Sequence, residues 1–223
     1  MTIKLYLGDC LEVMRDMPDN SVDAVVTDPP YGIGYVSNMR KKSFGVMQSD
    51  DITNAAWLIF MVRLLKDTGA IYCFSRWDVL GVWKSLFEFF GLSVKNCIVW
   101  DKGLFGMGDL EGAFAPTHEM ILFASRGRHI LRGKRAADII KINRVGSKRD
   151  HPTEKPVELM RELILKSTNP GDTMLDPFMG SGTTIIAAIQ TGRNAIGIEI
   201  DERYFAIAQR RIKDALQQPG LFA

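Results

Sequence analysis

Residues 172–217 read as strand, glycine turn, helix, strand and helix, and that succession restricts the fold more than any other stretch. Residues 172–175 read as a short strand that ends in the turn Asp176-Pro177-Phe178-Met179-Gly180-Ser181-Gly182. Residues 183–190 are an apolar helix closed by Gly192. Residues 194–200 return as a second strand, and 202–217 form a long helix with Asp201 placed to cap it. Two strands joined through a helix lie parallel, with a right-handed crossover. A chain containing such a unit builds a parallel sheet with helices on its faces.

The rest of the chain alternates in the same way. Strands are expected at 3–7, 22–27, 70–74, 96–100 and 119–124, and helices at 57–66, 82–90 and 156–167, the last with Pro156 at its first position. The run Val22-Asp23-Ala24-Val25-Val26-Thr27 is rich in β-branched residues, as expected of a strand covered on both faces. The expected class is therefore α/β, a doubly wound and mostly parallel sheet. No repeat, low-complexity linker or composition break divides it, so residues 1–223 are expected to form one domain. At 223 residues and 46% hydrophobic content the chain can bury the core this needs.

Cys10, Cys73 and Cys97 are odd in number and lack Cys-x-x-Cys spacing, which argues against a disulfide framework or a zinc site. The first residues lack the basic and apolar blocks of a signal peptide. The apolar stretch at 57–65 is short and interrupted by Arg63, well below a membrane span. A cytoplasmic protein of a reducing compartment is expected. Charge is unevenly spread: residues 126–149 hold nine Lys/Arg and one acid, a local +8 in a chain of net +2. The remainder therefore carries −6, so a polyanion bound at one place is expected, although a solvated basic loop has the same composition.

Two stretches carry the chemistry. In doubly wound sheets, ligands sit beyond the carboxyl ends of the strands, where the turn 176–182 lies. Gly180 and Gly182 let a ligand approach the backbone at a helix N-terminus. Glu199 closes the next strand, 17 residues after Gly182, where an acid can accept from both hydroxyls of a ribose. The dinucleotide fingerprint would need a third glycine where Ile185 stands, and no Gly-x-x-x-x-Gly-Lys motif occurs. A nucleoside without a pyrophosphate fits, and S-adenosylmethionine is such a ligand. The second stretch is Asp28-Pro29-Pro30-Tyr31, directly after the apolar strand. Neither proline can extend a ladder, so it is a rigid turn at a strand's end.

Together DPPY (28–31) and DPFMGSGTT (176–184) resemble the catalytic and cofactor motifs of DNA amino-methyltransferases. GDCLEVM (8–14), THEMILFASRG (117–127), HPTEKPVELM (151–160) and GIEIDERYFAIAQRRI (197–212) extend the resemblance over nearly the whole chain. The catalytic motif precedes the cofactor motif, as in the permuted beta group. The resemblance implies a circularly permuted, Rossmann-like fold with an antiparallel strand pair, S-adenosylmethionine as cofactor and double-stranded DNA as partner. It makes Asp28, Pro29, Pro30 and Tyr31 catalytic. The Asp28 carboxylate and Pro29 carbonyl would accept the N–H groups of an exocyclic amine, and Tyr31 would stack on a flipped base.

The cofactor would be met by Asp9, Cys10, Asp28, Thr153, Lys155, Pro156, Asp176, Pro177, Phe178, Gly180, Ser181, Gly182, Thr183, Glu199 and Ile200. Asp9 also suits a helix N-cap. No metal is implied. DNA contacts are expected from Arg40, Lys41 and Lys42 after the catalytic motif, and from Arg126, Arg128, Arg132, Lys134, Arg135, Lys141, Arg144, Lys148 and Arg149 in a short target-recognition-like segment. In the family, adenine enzymes mostly carry Asp at the first motif position and cytosine-N4 enzymes mostly Ser, so Asp28 implies adenine-N6. Cytosine-N4 methylation is the nearest alternative, followed by an RNA amino-methyltransferase and a silent DNA-binding subunit. A second copy of the chain and a cognate restriction endonuclease are candidate partners, and the nucleoid of a prokaryote or phage host the expected location.

Overall fold

The apolar run at 22–27 is a central strand of the sheet, with five of its six residues buried. The computed structural model describes residues 1–30, 55–103, 111–144 and 154–217. Tyr31, Arg40, Lys41, Lys42, Lys148, Arg149 and Thr153, all expected at the site, lie outside the described residues. Among the described residues eight strands form one sheet. In spatial order they are β1 (Ile3–Leu7), β8 (Asn194–Glu199), β7 (Thr173–Asp176), β2 (Val22–Thr27), β3 (Leu65–Ser75), β5 (His118–Ser125), β4 (Ser93–Asp101) and β6 (Ile139–Lys141). Every neighbouring pair is parallel except those made by β5, which runs against both β3 and β4. The mostly parallel sheet with an antiparallel element is thus present.

Among the described residues six helices cover the two faces. Helices α1 (Cys10–Arg15), α2 (Trp57–Leu64) and α3 (Leu80–Phe89) pack on one; α4 (Val157–Ser167), α5 (Thr183–Gln190) and α6 (Glu202–Gln217) pack on the other. The strands feed both layers by simple alternation: Ile71 and Cys73 of β3 face α2 and α3, while Tyr72 and Phe74 face α4. Helix α5 has all but Gln190 buried, which accounts for its unbroken apolar run.

From β7 the chain crosses to β8 on one side, and from β2 it crosses to β3 on the other. The carboxyl ends of β7 and β2 therefore flank the point where the winding reverses, the crevice in which such sheets hold ligands.

Three local expectations are corrected. The helix expected at 57–66 ends at Leu64, and β3 begins at Leu65 rather than residue 70. The turn-like residues Asp67-Thr68-Gly69 form an irregularity in the ladder, where the register on β2 jumps from Val22↔Leu65 to Ala24↔Ala70. Pro156 is the extended N-cap of α4 and not its first helical residue. Strand β6 was not expected; three residues are too few for a period to show, and its pairing with β4 holds it. Asp201 does cap α6, accepting from the Arg203 and Tyr204 amides at 2.8 and 3.2 Å.

Candidate active site

Parallel strands deliver Asp9, Asp28, Asp176 and Glu199 to one edge of the sheet, each just at or beyond a strand's carboxyl end. The Asp176 Oδ1 accepts from Thr27 Oγ1 at 2.9 Å and from the Phe178 amide at 3.1 Å. Burial pushes its carboxyl up to about 6, although hydrogen bonds from Thr184 and Thr27 pull it back. Asp176 thus ties the end of β7 to the end of β2 and shapes the turn. Gly180 and Gly182 follow at φ +52° and +84°. A Cβ on Gly182 would lie 3.1 Å from Ala208 Cβ and from Ile212 Cδ1, so α6 closes over the turn only because this residue has none.

Glu199 is fixed from two sides. Its Oε2 accepts from the Gly180 amide at 2.9 Å and its Oε1 from the Asp201 amide at 2.8 Å. Burial raises its carboxyl above the usual carboxylate range despite these bonds. Each carboxylate oxygen has a second lone pair for a ligand hydroxyl. Asp9 caps α1 through the Leu11 amide at 2.8 Å, so the capping role holds. Between these acids lies a cleft lined by Gly8, Asp9, Cys10, Leu11, Pro30, Trp57, Pro177, Phe178, Glu199 and Ile200. Phe178 meets Trp57 edge-on, ring centres 5.6 Å apart. The cleft's walls are mostly apolar and carry Asp9 and Glu199, and among the described residues no Lys or Arg lines it, which suits a nucleoside. Burial, then the Asp9 charge, push the Cys10 thiol up to about 12, so it lines the cleft as a neutral group.

Asp28 begins a second cluster. Lys155 is 7% exposed, and its Nζ donates to Asp28 Oδ2. It also lies 3.2 Å from Glu119 Oε2 and 5.0 Å above the Phe74 ring. Burial alone would lower the Lys155 pKa, but Asp28 and Glu119 outweigh it and hold the ammonium above its ordinary value. Burial would likewise raise Glu119, yet Lys155 and Lys102 keep its carboxyl below the usual range. Lys155, grouped with the cofactor residues by the resemblance, meets the Asp28 carboxylate of the catalytic motif. Ser181 is held by Arg211, which donates to its carbonyl at 2.8 Å and to its Oγ at 2.6 Å, and to Glu154 Oε1 at 2.6 Å. That clamp joins α6, the glycine turn and the segment leading into α4. Sequence reasoning missed Glu119, Trp57, Thr27, Glu154 and Arg211. Glu119 was legible in part, since alternation along β5 puts it on the α4 face with Ile121 and Phe123.

The basic segment is divided between the two edges of the sheet. Because β5 runs against its neighbours, Ser125 pairs with Ala70, and the chain leaves β5 at the amino edge of the sheet. Arg126 is held there by Asn20 Oδ1 and the Val62 and Leu65 carbonyls, at 2.7 to 3.1 Å. The Arg132 amide bonds to the Lys166 carbonyl at 2.8 Å, and Lys166 Nζ to the Lys134 carbonyl at 2.7 Å. Lys166 is in the last turn of α4, about 14 Å along the helix from its first residue, Val157. The stretch carrying Arg126, Arg128, Arg132, Lys134 and Arg135 is therefore not brought to the site. Strand β6 then carries the chain back, setting Lys141 opposite Asp101 at the carboxyl edge, with the Arg144 amide 3.4 Å from the Lys102 carbonyl.

A doubly wound sheet with a glycine turn at its switch point, an acid on the next strand and Asp-Pro-Pro at the adjacent strand's end defines a Rossmann-like methyltransferase. Residues 22–210 match the DNA methylase family of N6 and N4 amino-methyltransferases, and the chain belongs to it. It is 34% identical over 214 residues to the Escherichia coli (strain K12) protein YubD, covering 95% of this chain and 92% of that one. It is 28% identical to the type II methyltransferase M.HpaI of Haemophilus parainfluenzae, over 95% of this chain and 74% of the other. The crystal structure of the M1.HpyAVI–SAM complex superposes with a TM-score of 0.74 at 28% identity, over 94% of this chain and 100% of that one.

Proposed function

We propose that this protein transfers a methyl group from S-adenosylmethionine to the N6 amine of adenine in double-stranded DNA. The observation that carries this reading is the adjacency of two features at the switch point. One is the cleft lined by Asp9 and Glu199, and the other is the Asp28-Pro29-Pro30 strand end, whose Pro30 lines that cleft. When bound, S-adenosylmethionine supplies an electrophilic methyl group on a sulfonium sulfur. Glu199 would receive its ribose hydroxyls, Asp9 its adenine amine, and the Gly180–Gly182 turn its amino-acid arm.

The amine of adenine is a weak nucleophile because its lone pair is delocalised into the ring. Asp28 and the Pro29 carbonyl each accept one N–H, which returns the lone pair to nitrogen and steadies the charge that grows there. With the cofactor bound, its sulfonium would supply the methyl and keep the electron pair of the broken S–C bond, while the Asp28 carboxylate would hold the amine proton and pass it to water. Reaching that amine requires the base to leave the stack, and Tyr31 is proposed to stack on it. Lys141 and Arg144 are the proposed phosphate contacts among the described residues. A second copy of the chain and a cognate restriction endonuclease remain the proposed protein partners.

The test is to methylate mixed-sequence duplex DNA with methyl-tritiated S-adenosylmethionine, digest it to nucleosides and separate them. Label is expected in N6-methyladenine. Label in N4-methylcytosine overturns the choice of base, and no label in DNA beside label in RNA offered in a parallel reaction overturns the choice of nucleic acid.

A further inference from the structure

Glu119 stands at the start of β5 on the face that meets α4, and its carboxylate lies between two ammonium groups. Lys155 Nζ is 3.2 Å from Oε2, and Lys102 Nζ is 3.2 Å from Oε1. Lys155 in turn donates to Asp28, so four charges alternate in a line from the catalytic motif outward. The lysine side chain is 8% exposed and sits over the Phe74 ring, so its charge is poorly screened by water.

A cation held against Asp28 has two opposed effects. It fixes the carboxylate in place, which favours the reaction. It also cancels the negative charge of Asp28 beside a nitrogen that becomes positive, which disfavours it. Glu119 resolves that conflict, because Asp28, Lys155 and Glu119 together keep a net charge of −1. We infer that Glu119 is a positioning residue for methyl transfer: it seats the Lys155 ammonium against Asp28 and offsets its charge. Lys102 sits beyond Glu119, one carboxylate further from Asp28, and anchors it from the outside.

The inference rests on the reading that Asp28 accepts the target amine, and it concerns the rate of transfer rather than cofactor binding. The variants are Glu119→Gln, which keeps size and removes charge, and Glu119→Asp, which keeps charge and shortens the reach. Three readouts are needed: single-turnover methylation of duplex DNA, cofactor affinity by calorimetry, and the 15N signal of the Lys155 ammonium, assigned by its loss in Lys155→Met. Glu119→Gln is expected to slow single turnover by about tenfold or more. Cofactor affinity stays within about threefold, a factor worth under about 0.7 kcal/mol. Glu119→Asp is expected to recover most of the rate, and the ammonium signal to move in Glu119→Gln.

An unchanged single-turnover rate in Glu119→Gln overturns the inference. So does a loss of cofactor affinity as large as the loss of rate, and so does failure of both variants to fold. Should the wild-type protein label cytosine, the choice of base fails while the comparison of variants stands. Should it label no nucleic acid, the reading of Asp28 fails, and an unmoved ammonium signal would then remove the seating role as well.

Discussion

At the scale of single residues, the site depends on acids whose oxygens are already partly committed to the protein. Asp28 is oriented by Lys155, and Glu199 by the Gly180 and Asp201 amides, so neither has to be ordered when a ligand arrives. Their losses should separate by type of effect. Asp28→Ala removes a charged acceptor at the reacting nitrogen, a loss of about 3–4 kcal/mol of barrier stabilisation, or a few hundred-fold in single turnover. Cofactor affinity by calorimetry should change little, and near wild-type turnover would remove Asp28 from the mechanism. Glu199→Ala removes the acceptor for the ribose hydroxyls and frees the amides that shape the turn. Cofactor affinity should fall by about 1.5–3 kcal/mol, roughly ten- to more than a hundredfold. An unchanged dissociation constant would show that the ribose lies elsewhere.

At the scale of elements, what could be read from the sequence was whatever is encoded locally. The run at 22–27, the helix at 183–190 and the glycine turn carry their period and punctuation within a few residues, and all three stand where expected. The six residues of α1 and the three of β6 hold too few residues for a period to show. Asp28 and Glu199 were legible because each sits inside a motif. The Lys155–Asp28 contact spans 127 positions in sequence, and no local pattern announces it.

The latch under the basic segment is also tertiary. His129 Nδ1 lies 2.6 Å from the Thr68 carbonyl, which can only accept, so Nδ1 carries the proton. Neutral Nε2 then accepts from Ser167 Oγ at 2.9 Å, and Ser167 accepts from Tyr72 at 2.6 Å. Burial depresses the His129 pKa below its ordinary 6.5, Arg132 adds to this, and the Thr68 bond opposes it. A depressed folded value means that the unfolded chain binds the proton more readily. The contribution to stability is therefore complete above about pH 6.5 and is lost as pH falls through the folded value. The urea midpoint should fall more steeply from pH 7 to pH 5 in the wild type than in His129→Gln. Parallel curves would show that the imidazole stays neutral for another reason, or is already exposed.

At the scale of the whole molecule, a count of charge carries no direction, and the fold supplies it. The +8 segment is continuous in sequence, but β5 releases it at the amino edge and β6 returns it to the carboxyl edge. Strand β5 is eight residues long, so the two edges are about 24 Å apart. Arg132, Lys134 and Arg135 lie with the far end of α4, whereas exposed Lys141 and Arg144 share an edge with Asp28, four strand spacings or about 19 Å across the sheet. On the proposed reading, in which the target base reaches Asp28, the duplex would run along the carboxyl edge and its phosphates would meet the second group and not the first. Each Lys or Arg that neutralises a phosphate contributes about 0.9 to the slope of log affinity against log salt. Changing Lys141 and Arg144 together to Gln should therefore flatten that slope by about 2, while Arg132, Lys134 and Arg135 changed together should leave it as it is. Fluorescence anisotropy of a labelled duplex, titrated at a series of salt concentrations, measures both slopes. A flattened slope in the triple variant alone would place the duplex across the amino edge, where no base could reach Asp28.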